Sequence, residues 1–305
     1  MEWDRIESAL ISFLLTLDSI IAKIWSAFLS DIKTLDELTS VNSKTTYSDY
    51  TFDEARKEFD LFFSKFVKLK GKKILDIGCG SGGKTCFYAK DNFCVGLDVD
   101  ASRLKKAVNF AHEINVEKKF NCILCDSTRL PLRPESFNII FLNDVMEHLE
   151  APTSTLEEAK LLLDKGGYMY ITFTSYNAAN GSHLTDWLRI PWIHFLFPEK
   201  VIIRALVRLS KNKPIILQKF PRLKSCSTIE RITDFVDING ITLKKFKEII
   251  NALNTKSELS IKSLTFRSWY KENHTYFILE KLPLQITDFL ARKVVCILEK
   301  RKKLP

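Results

Sequence analysis

The feature that most constrains the fold is a regular alternation of apolar strands and amphipathic helices between residues 73 and 173. Parallel strands need crossover connections of a dozen or more residues, and such connections are usually helices. This alternation predicts an α/β fold built on a doubly wound, mostly parallel, Rossmann-like sheet. The right-handed crossover rule places the carboxyl ends of these strands, and therefore the ligand crevice, at one edge of the sheet.

Five strands and three helices are predicted within the alternating segment. Each strand is a short apolar run, and each helix repeats its large apolar residues every three or four positions. The predicted strands are 73–77, 93–97, 121–124, 138–142 and 168–173, and the predicted helices are 83–90, 102–114 and 145–163.

The segments on either side of this core are less regular. Large apolar residues from Ile6 to Phe28 follow helical spacing, which predicts a helix that docks on the core or serves as a dimer or membrane-surface helix. An aromatic insertion after Phe173 predicts a helical cap over the crevice, since binding residues concentrate on loops. We further expect a polar linker at 39–51, helices at 52–68, 241–253 and 283–303, and β-like runs at 259–270 and 275–279. The predicted divisions are an N-terminal helical extension and linker (1–51), the core (52–175), the inserted cap (176–240), and the end of the core fold with a C-terminal helix (241–305).

Composition narrows the class of protein. With 305 residues, 46% hydrophobic and 27% charged, the chain buries a sizeable core, which excludes disordered, collagen-like and coiled-coil proteins. The net charge of +9 favours an anionic partner, although the excess is spread along the chain. Seven cysteines without a secretory signal predict a cytoplasmic protein, and Cys122 and Cys125 form a lone C-x-x-C that is expected to pack rather than to bind zinc. Asp18 and Lys23 interrupt the apolar N-terminus, so no membrane-spanning segment is expected.

The string KKILDIGCGSGGKT, residues 72–85, predicts a ligand-binding loop. A buried strand ends in Asp76, and a glycine-rich loop then turns into a helix. Gly78, Gly80 and Gly82 allow a tight turn and a close approach of the backbone to a ligand, because they carry no Cβ. Asp76 directs a carboxylate into the same crevice.

Two further strand ends carry acidic residues. The second strand ends at Asp98, twenty-two residues after Asp76, where a carboxylate can accept both hydroxyls of a ribose. The third strand ends at Asp126 and Ser127, which are placed to meet the amino group and ring edge of an adenine. Acidic residues at three successive strand ends predict a nucleoside site.

A phosphate-binding P-loop is an alternative interpretation of the same string. Residues 78–85 satisfy the spacing G-x-x-x-x-G-K-T, with Lys84 as the phosphate ligand, and Asp144 would then hold magnesium. A triphosphate cradle, however, is built from backbone N–H groups and a lysine, whereas this loop is surrounded by carboxylates. Carboxylates favour a neutral nucleoside with a positively charged end.

Four segments, in order, resemble a known family. ILDIGCGSG, GLDVD, CDSTRLPLRPESFNIIFLNDVMEHL and KGGYMYITF are similar to the conserved segments of class I S-adenosylmethionine-dependent methyltransferases. The similarity is closest to the methyltransferase type 11 branch, which includes the ubiquinone and menaquinone methyltransferases. The resemblance covers residues 52–173 and implies a methyltransferase with S-adenosyl-L-methionine as its cofactor.

The resemblance also implies a role for each residue that matches a family position. Asp76 and the loop glycines would hold the methionine part of the cofactor, and Asn143 its amino end. Lys84 departs from the small or apolar residue that is usual at its position. The implied cofactor-binding residues are Asp76, Gly78, Gly80 and Gly82 for the methionine, Asp98 for the ribose, Asp126 and Ser127 for the adenine, and Asn143.

The class of acceptor is predicted from motifs at the end of the fourth strand. Asn-Pro-Pro-Tyr, with which many N-methyltransferases hold a planar amino group, does not follow that strand, and neither does the Pro-Cys pair of a cytosine-adduct mechanism. An oxygen or activated carbon of a small acceptor, lipid-like, quinone or glycan, is therefore predicted. The basic EKRKK tail and the net charge keep RNA or protein as alternative acceptors, although the chain lacks an added nucleic-acid-binding module. A non-catalytic nucleoside-binding protein is the third alternative.

Candidate catalytic residues follow the fourth strand. If the helix begins there, Asp144, Glu147 and His148 share one face. Such a face, completed by His183 of the cap, would ligate a divalent metal that lowers the pKa of an acceptor hydroxyl, and it resembles the Glu-x-x-Glu-His site of some metal-dependent O-methyltransferases. Without a metal, Glu147, His148 and His183 are the catalytic candidates, with either histidine as a general base. The alternative is that these side chains only pack.

The cap contains a dense apolar cluster flanked by basic residues. Such clusters usually fill a small core. The alternative is an apolar tunnel or a membrane-surface helix for a lipid-like acceptor, with the basic residues meeting anionic headgroups, so that the protein would be peripheral to a membrane. The cluster consists of Trp187, Leu188, Ile190, Trp192, Ile193, Phe195, Leu196 and Phe197, and the basic residues are Arg189, Arg204, Arg208, Lys211 and Lys213.

Overall fold

A computed structural model of the chain describes residues 2–28, 46–185, 187–213, 216–217, 231–254, 258–267 and 279–302. Seven strands of this part of the chain form one sheet in the order β3-β2-β1-β4-β5-β7-β6. The first five are parallel, and β7 is antiparallel to both of its neighbours. The strands are β1 (Lys73–Ile77), β2 (Phe93–Asp98), β3 (Phe120–Leu124), β4 (Phe137–Asn143), β5 (Leu163–Phe173), β6 (Leu259–Arg267) and β7 (Lys293–Lys300).

Ten helices with defined bounds accompany the sheet within the described residues, in addition to a helical fragment at 216–217. A helical turn of the π type, Phe59–Phe63, continues α2, and a 3-10 turn, Met146–His148, follows β4. The helices are α1 (Glu2–Phe28), α2 (Tyr47–Glu58), α3 (Gly83–Ala89), α4 (Ala101–Glu113), α5 (Pro152–Leu162), α6 (Ile193–Leu196), α7 (Glu199–Ser210), α8 (Ile232–Val236), α9 (Leu243–Leu253) and α10 (Leu284–Leu290). The doubly wound, mostly parallel fold predicted from the alternation is confirmed.

Hydrophobic layers cover both faces of the sheet, because successive residues of a strand point to opposite sides. Ile74 and Leu75 of β1 are both fully buried, one in each layer. A central parallel strand is covered on both faces and therefore reads as a nearly continuous apolar run. In KILDI, Asp76 is the one charged residue that lies inside the core. Helices α2, α3 and α4 cover one face, and α5 and α9 cover the other.

The N-terminal helix docks on the cap. Leu14 of α1 is fully buried in a cluster that includes Leu188, Ile193 and Leu206 of the cap. Asp18, also buried, accepts a hydrogen bond from the backbone N–H of Arg189. The structure therefore replaces the expected docking on the core with docking on the inserted cap. No described helix is long and apolar enough to cross a membrane.

Four sequence predictions about secondary structure are corrected. The segment 283–303 is a short helix followed by a strand, because β7 pairs with β5 on one side and β6 on the other. The helix expected at 145–163 is a 3-10 turn followed by α5, since Pro152 starts the helix there. Helix α2 begins at Tyr47, inside the expected linker, because Thr46 and Asp49 form a capping box. Strand β5 begins at Leu163, five residues early. Residues 39–45, most of the β-like run 275–279, and Cys226 lie outside the described residues.

Candidate functional site

The glycine-rich loop after β1 adopts backbone angles that favour glycine. Gly78, Gly80 and Gly82 have φ angles of 76°, 55° and 80°. A Cβ on Gly78 would overlap the side chain of Val145, and a Cβ on Gly82 would lie 2.7 Å from the Cβ of Ala107. A Cβ on Gly80 would have no described atom within 4 Å. Gly78 and Gly82 thus allow close packing, while Gly80 borders open space where a ligand can approach the backbone.

Asp76 lies fully buried at the carboxyl end of β1. Its Oδ2 accepts a hydrogen bond of 2.5 Å from the hydroxyl of Thr85, whereas its Oδ1 has no hydrogen-bond partner among the described residues. Burial raises the pKa of Asp76 to about 6, although the Thr85 hydroxyl and the Lys84 charge oppose the shift. A buried carboxylate oxygen without a partner is the kind of group that a cationic ligand satisfies.

Asp98 ties the glycine loop to the end of β2. Its Oδ2 accepts a hydrogen bond of 2.8 Å from the backbone N–H of Gly80, and its Oδ1 accepts one of 2.9 Å from Asp100. Each carboxylate oxygen has a further acceptor site, because an ionised carboxylate offers about four in total. Asp98 therefore fixes the loop and still has capacity for two hydroxyl groups.

The remaining predicted cofactor residues lie at the next strand ends. Asp126 is exposed, and hydrogen bonds from the backbone and hydroxyl of Thr128 to its Oδ1 lower its pKa. The hydroxyl of Ser127 lies 2.9 Å from that of Thr155. Asn143 ends β4, where its amide lies close enough to Asp76 to lower the pKa of that carboxyl group, but neither its oxygen nor its nitrogen makes a hydrogen bond of good geometry within the described residues. Since β3, β2, β1 and β4 are neighbours in that order, all of these groups meet at one edge of the sheet.

Helix α2 covers the glycine loop. The hydroxyl of Ser48 donates a hydrogen bond of 3.1 Å to the carbonyl of Ser81. A Cβ on Gly83 would overlap both Thr51 and the carbonyl of Ser48, so only glycine lets α2 approach the start of α3 this closely. The second half of the predicted P-loop pattern thus serves helix packing.

A buried ion cluster of three cations and three carboxylates holds α2 in place. Lys84 Nζ lies 3.0 Å from Glu58, 3.3 Å from Glu54 and 3.3 Å from Asp144. Lys293 Nζ of β7 lies 2.8 Å from Asp144 and 3.2 Å from Glu58. Arg267 of β6 lies 2.9 Å from the second oxygen of Glu58. Sequence reasoning missed this cluster, and its one signal was the unusual lysine at position 84.

The charges within this ion cluster shift the pKa values of its member side chains. Burial alone would raise the pKa of Glu58, but Lys293 and Lys84 hold it at about 2. The same two lysines keep the pKa of Asp144 well below its usual range against the effect of burial. The pKa of Lys84 is raised, because its carboxylate partners outweigh its burial. A lysine held among three carboxylates cannot serve as a phosphate ligand, so the P-loop interpretation is wrong.

Glu147, His148 and His183 form a second cluster beside this edge. One ligand-type atom from each lies within 4.8 Å of the others. His183 Nε2 is 3.8 Å from Glu147 Oε1, and the two imidazole rings lie 5.1 Å apart, edge to face. His148 Nδ1 lies 2.7 Å from the carbonyl of Asp237. The structure thus brings the three predicted catalytic candidates together.

Asp144 does not join this second cluster. It adopts a left-handed backbone angle of 54° directly after β4, so it precedes the 3-10 turn and shares no helical face with Glu147 and His148. Its carboxylate pairs with Lys84 and Lys293 instead. The predicted four-residue ligand set is therefore reduced to three side chains with suitable geometry.

Glu147 is buried, and its pKa is unusually high for a carboxyl group. Its Oε1 accepts a hydrogen bond of 3.0 Å from the backbone N–H of Thr174, and its Oε2 has no partner among the described residues. Burial, reinforced by the nearby negative charge of Asp144, raises the pKa of Glu147 to about 8. Perturbed carboxyl groups in a crevice often mark functional sites, and this one can release a proton near neutral pH.

Glu147 is expected to make stability fall as the pH rises. Between the usual carboxyl pKa and about 8, the folded chain retains a proton that the unfolded chain has released. The unfolding free energy of the wild type should therefore decline across this window by up to about 1.4 kcal/mol per pH unit from this group. Urea unfolding at pH 5, 6, 7 and 8 checks this, with Glu147→Gln expected to remove the decline above about pH 6, because the raised pKa of Asp76 adds a similar decline below that pH. Glu150→Gln, an exposed neighbour, should follow the wild-type curve, and a Glu147→Gln curve parallel to wild type would contradict the expectation.

Most of the apolar cluster of the cap packs inward. Trp187, Leu188, Ile190, Ile193 and Phe197 are buried, which agrees with the packing alternative. Phe195 and Leu196 are 53% and 61% exposed. Cys122 and Cys125 are free, and desolvation raises the pKa of both thiols, which disfavours the thiolate that zinc requires.

Residues 68–194 match a family model described as a methyltransferase domain. Among curated relatives, a ubiquinone biosynthesis O-methyltransferase of Chromobacterium violaceum is 26% identical over 38% of this chain and 50% of its own. A sterol 24-C-methyltransferase of Candida albicans is 24% identical over 45% of this chain and 38% of its own. An uncharacterised methyltransferase of Schizosaccharomyces pombe is 30% identical over 45% and 52%. The chain thus spans about half, or less, of the length of these relatives.

Among solved structures, the PH0226 protein of Pyrococcus horikoshii is 14% identical, with a TM-score of 0.49 over 90% of this chain and 99% of its own. The YcgJ protein of Bacillus subtilis is 13% identical, with a TM-score of 0.49 over 82% of this chain and all of its own.

Proposed function

We propose that this chain, whose residues 68–194 are a methyltransferase domain of the S-adenosylmethionine-dependent class, methylates an oxygen or activated carbon of a small, lipid-like acceptor. The observation that carries the proposal is the edge where β1 and β4 end side by side. Asp76 and Asn143 present buried polar atoms there that have no partner among the described residues. A ligand with an ammonium group and a nucleoside would satisfy them.

The residues of this edge fit S-adenosylmethionine by their chemistry. Asp76 and Asn143 offer acceptors and a donor for the amino acid part, and Gly80 leaves its backbone open to a ligand. Asp98 has acceptor capacity for the two ribose hydroxyls. Asp126 and Ser127, at the end of β3, would meet the adenine. When bound, this cofactor supplies a methyl group on a sulfonium, ready for in-line displacement by the acceptor.

Glu147 and His183 would manage the proton that a hydroxyl or activated carbon acceptor loses. His183 is partly exposed and lies 3.8 Å from the buried Glu147 carboxyl group, which itself keeps a proton up to about pH 8, so the two side chains are placed to pass a proton between them. His148 sits against the His183 ring and is itself positioned by the Asp237 carbonyl. The same three side chains are the ligand set for a divalent metal if the reaction uses one.

The acceptor class is supported by two of the relatives. One is named for the methylation of a sterol on carbon and the other for an O-methylation in ubiquinone biosynthesis, and both names point to apolar molecules. Methylation of carbon and methylation of oxygen are both compatible with a base such as His183, because each kind of acceptor loses a proton. The proposal therefore covers a lipid-like hydroxyl or activated carbon and leaves the atom to the experiment.

The test is transfer of isotope-labelled methyl groups from S-adenosylmethionine to extracted lipid, glycan, protein and RNA pools, with mass spectrometry of any ligand that co-purifies. Label in the lipid pool is the expected result. Label confined to RNA or protein would overturn the acceptor class. Failure to bind S-adenosylmethionine would overturn the methyltransferase assignment itself.

Replacing His183 with alanine is expected to reduce kcat by about 10²- to 10⁴-fold, the usual contribution of a general acid or base. The dissociation constant for S-adenosylmethionine should stay within about twofold, because His183 belongs to the acceptor side of the site. Kinetics with the labelled acceptor, with and without EDTA, check both points. His112→Ala, an exposed histidine on α4, is the matched control. Full wild-type activity after EDTA treatment excludes the metal alternative, whereas a wild-type rate for His183→Ala contradicts the base.

A further inference from the structure

We propose that Asn180 and Ser182, in the loop after β5, bind the acceptor through a hydroxyl or N–H group that it carries in addition to the atom that is methylated. This inference rests on the proposed function and deepens it, because it states a chemical requirement of the acceptor. The loop comprises residues 174–183 and is called the acceptor loop below. Since β5 pairs with β4 in parallel, the loop starts beside Asn143, at the edge proposed for the cofactor.

Both ends of the acceptor loop contact one carboxyl group. The backbone N–H of Thr174 donates a hydrogen bond of 3.0 Å to Oε1 of Glu147, and Nε2 of His183 lies 3.8 Å from the same oxygen. A packed loop whose ends lie close together is an Ω-loop, and loops of this type are frequently functional. The acceptor loop therefore returns to the side chains that would manage the acceptor proton.

Turns and close packing hold the acceptor loop in one conformation. The backbone N–H groups of Ala178, Gly181 and His183 each donate a hydrogen bond to the carbonyl three residues earlier. A Cβ on Gly181 would overlap the carbonyl oxygen of Tyr176, so this position requires glycine. His183 adopts a left-handed backbone angle of 54°, which is unfavourable for a residue with a Cβ. Backbone strain of this kind clusters at functional sites.

Asn180 and Ser182 each bury a polar atom that has no partner within the described residues. These atoms are the amide oxygen Oδ1 of Asn180 and the hydroxyl Oγ of Ser182. Most buried polar side-chain atoms in proteins form a hydrogen bond, because leaving one unpaired is unfavourable. A bound ligand that supplies the missing partners would recover this loss.

Two residues of the same types, in the same loop, do have partners. The hydroxyl of Ser175 accepts a hydrogen bond of 3.4 Å from the backbone N–H of Asn177. The amide nitrogen of Asn177 in turn donates one of 2.7 Å to Asp288. Ser175 and Ser182 are both fully buried, so burial alone does not explain why one hydroxyl is paired and the other is not. The acceptor loop thus contains one paired and one unpaired residue of each type.

The chemistry of the unpaired atoms indicates what the acceptor must offer. An amide oxygen only accepts hydrogen bonds, whereas a serine hydroxyl donates or accepts. A ligand hydroxyl or N–H group therefore suits both atoms. The atom that is methylated gives its proton to the base, so the donor for Asn180 is a different group of the acceptor. Asn180 and His183 are partly exposed, which places this end of the loop at the boundary between the interior and the crevice.

Urea unfolding of alanine variants tests whether Ser182 is unpaired in the folded chain. Ser182→Ala removes a hydroxyl without a partner, so it should unfold at the same urea concentration as wild type or at a higher one. Ser175→Ala, the matched control, removes a hydroxyl that accepts a hydrogen bond and should unfold at a lower concentration. In the second pair, Asn177→Ala should be less stable than Asn180→Ala, because it loses the bond to Asp288.

Methyl transfer tests the contact with the acceptor. With labelled S-adenosylmethionine and a limiting amount of the extracted lipid pool, Ser182→Ala and Asn180→Ala should each reduce the initial rate of labelling by about tenfold or more. The dissociation constant for S-adenosylmethionine should stay within about twofold in both variants. Ser175→Ala should label the pool at the wild-type rate under conditions where it is folded.

Mass spectrometry of the labelled product completes the test. After transfer to a deuterated solvent, the product should exchange at least one hydrogen, since its second hydroxyl or N–H group is retained. A product without an exchangeable hydrogen overturns the proposal, and so does a Ser182→Ala variant that labels the pool as fast as wild type. A Ser182→Ala variant as unstable as Ser175→Ala also overturns it, because a trapped water would then be the partner of Ser182.

Failure of the proposed function gives a different result. In that case the wild-type chain itself binds no S-adenosylmethionine or labels no extracted pool, and the requirement for a second donor falls with it. If wild type labels the lipid pool and only the expected effects of Asn180→Ala and Ser182→Ala are missing, the methyltransferase assignment stands and the role of the acceptor loop does not.

Discussion

Replacing Lys84 with methionine is expected to lower the unfolding free energy by about 3–5 kcal/mol, the usual cost of removing one partner from a buried ion pair. Lys84 lies within 3.3 Å of three carboxylates, and Glu58 among them is 1% exposed. Methionine retains the apolar stem of lysine, so the loss reports the charge and not a cavity. Urea unfolding at pH 7, monitored by far-UV circular dichroism, measures the change.

Two variants separate charge imbalance from other effects of the Lys84 substitution. Lys84→Met combined with Glu58→Gln restores equal numbers of cations and carboxylates in the ion cluster, and should recover part of the lost stability. Lys106→Met on the exposed face of α4 should change stability by less than about 0.5 kcal/mol. A Lys84→Met variant as stable as the Lys106→Met control would show that the ion cluster contributes little to holding α2.

The position of the site, unlike the ion cluster, follows from the sequence. Each strand of a doubly wound sheet ends at the same edge, so Asp76, Asp98 and Asp126 meet once the alternation is recognised. The glycines at 78, 80 and 82 predict a tight turn after the first strand, and their positive φ angles confirm that turn. The family resemblance read from four segments is confirmed by the match over residues 68–194. Each of these features depends on residues that are close together in the chain, so it can be recognised from one sequence.

Long-range pairing explains what the sequence did not reveal. Glu58 and Lys293 are 235 residues apart, and nothing in the chain around either of them indicates that they meet. Strand β7 has apolar residues at spacings that also suit a helix, and its ladders with β5 and β6 decide the outcome. The left-handed turn at Asp144 moved that carboxylate away from the expected helical face. In each case a tertiary contact overrides a local preference.

Replacing Asp98 with alanine is expected to weaken S-adenosylmethionine binding by about 10²- to 10³-fold. The carboxylate holds the Gly80 N–H at 2.8 Å and would accept the ribose hydroxyls, and hydrogen bonds to charged groups contribute about 1.5–3 kcal/mol each. Alanine removes both the ribose acceptors and the group that fixes the glycine loop. Isothermal titration calorimetry with S-adenosylmethionine and with S-adenosylhomocysteine measures the loss.

Asp100→Ala distinguishes loss of the ribose contact from a general disturbance of this region. Asp100 caps α4 through the backbone N–H groups of Ser102 and Arg103, and its removal should cost about 1 kcal/mol of stability. Its side chain is directed to the helix, so the affinity for the cofactor should stay within about threefold of wild type. Asp98→Asn should bind with intermediate affinity, because an amide keeps one acceptor oxygen. If Asp98→Ala binds the cofactor as wild type does, the ribose assignment is wrong, and the nucleoside must lie elsewhere along the edge.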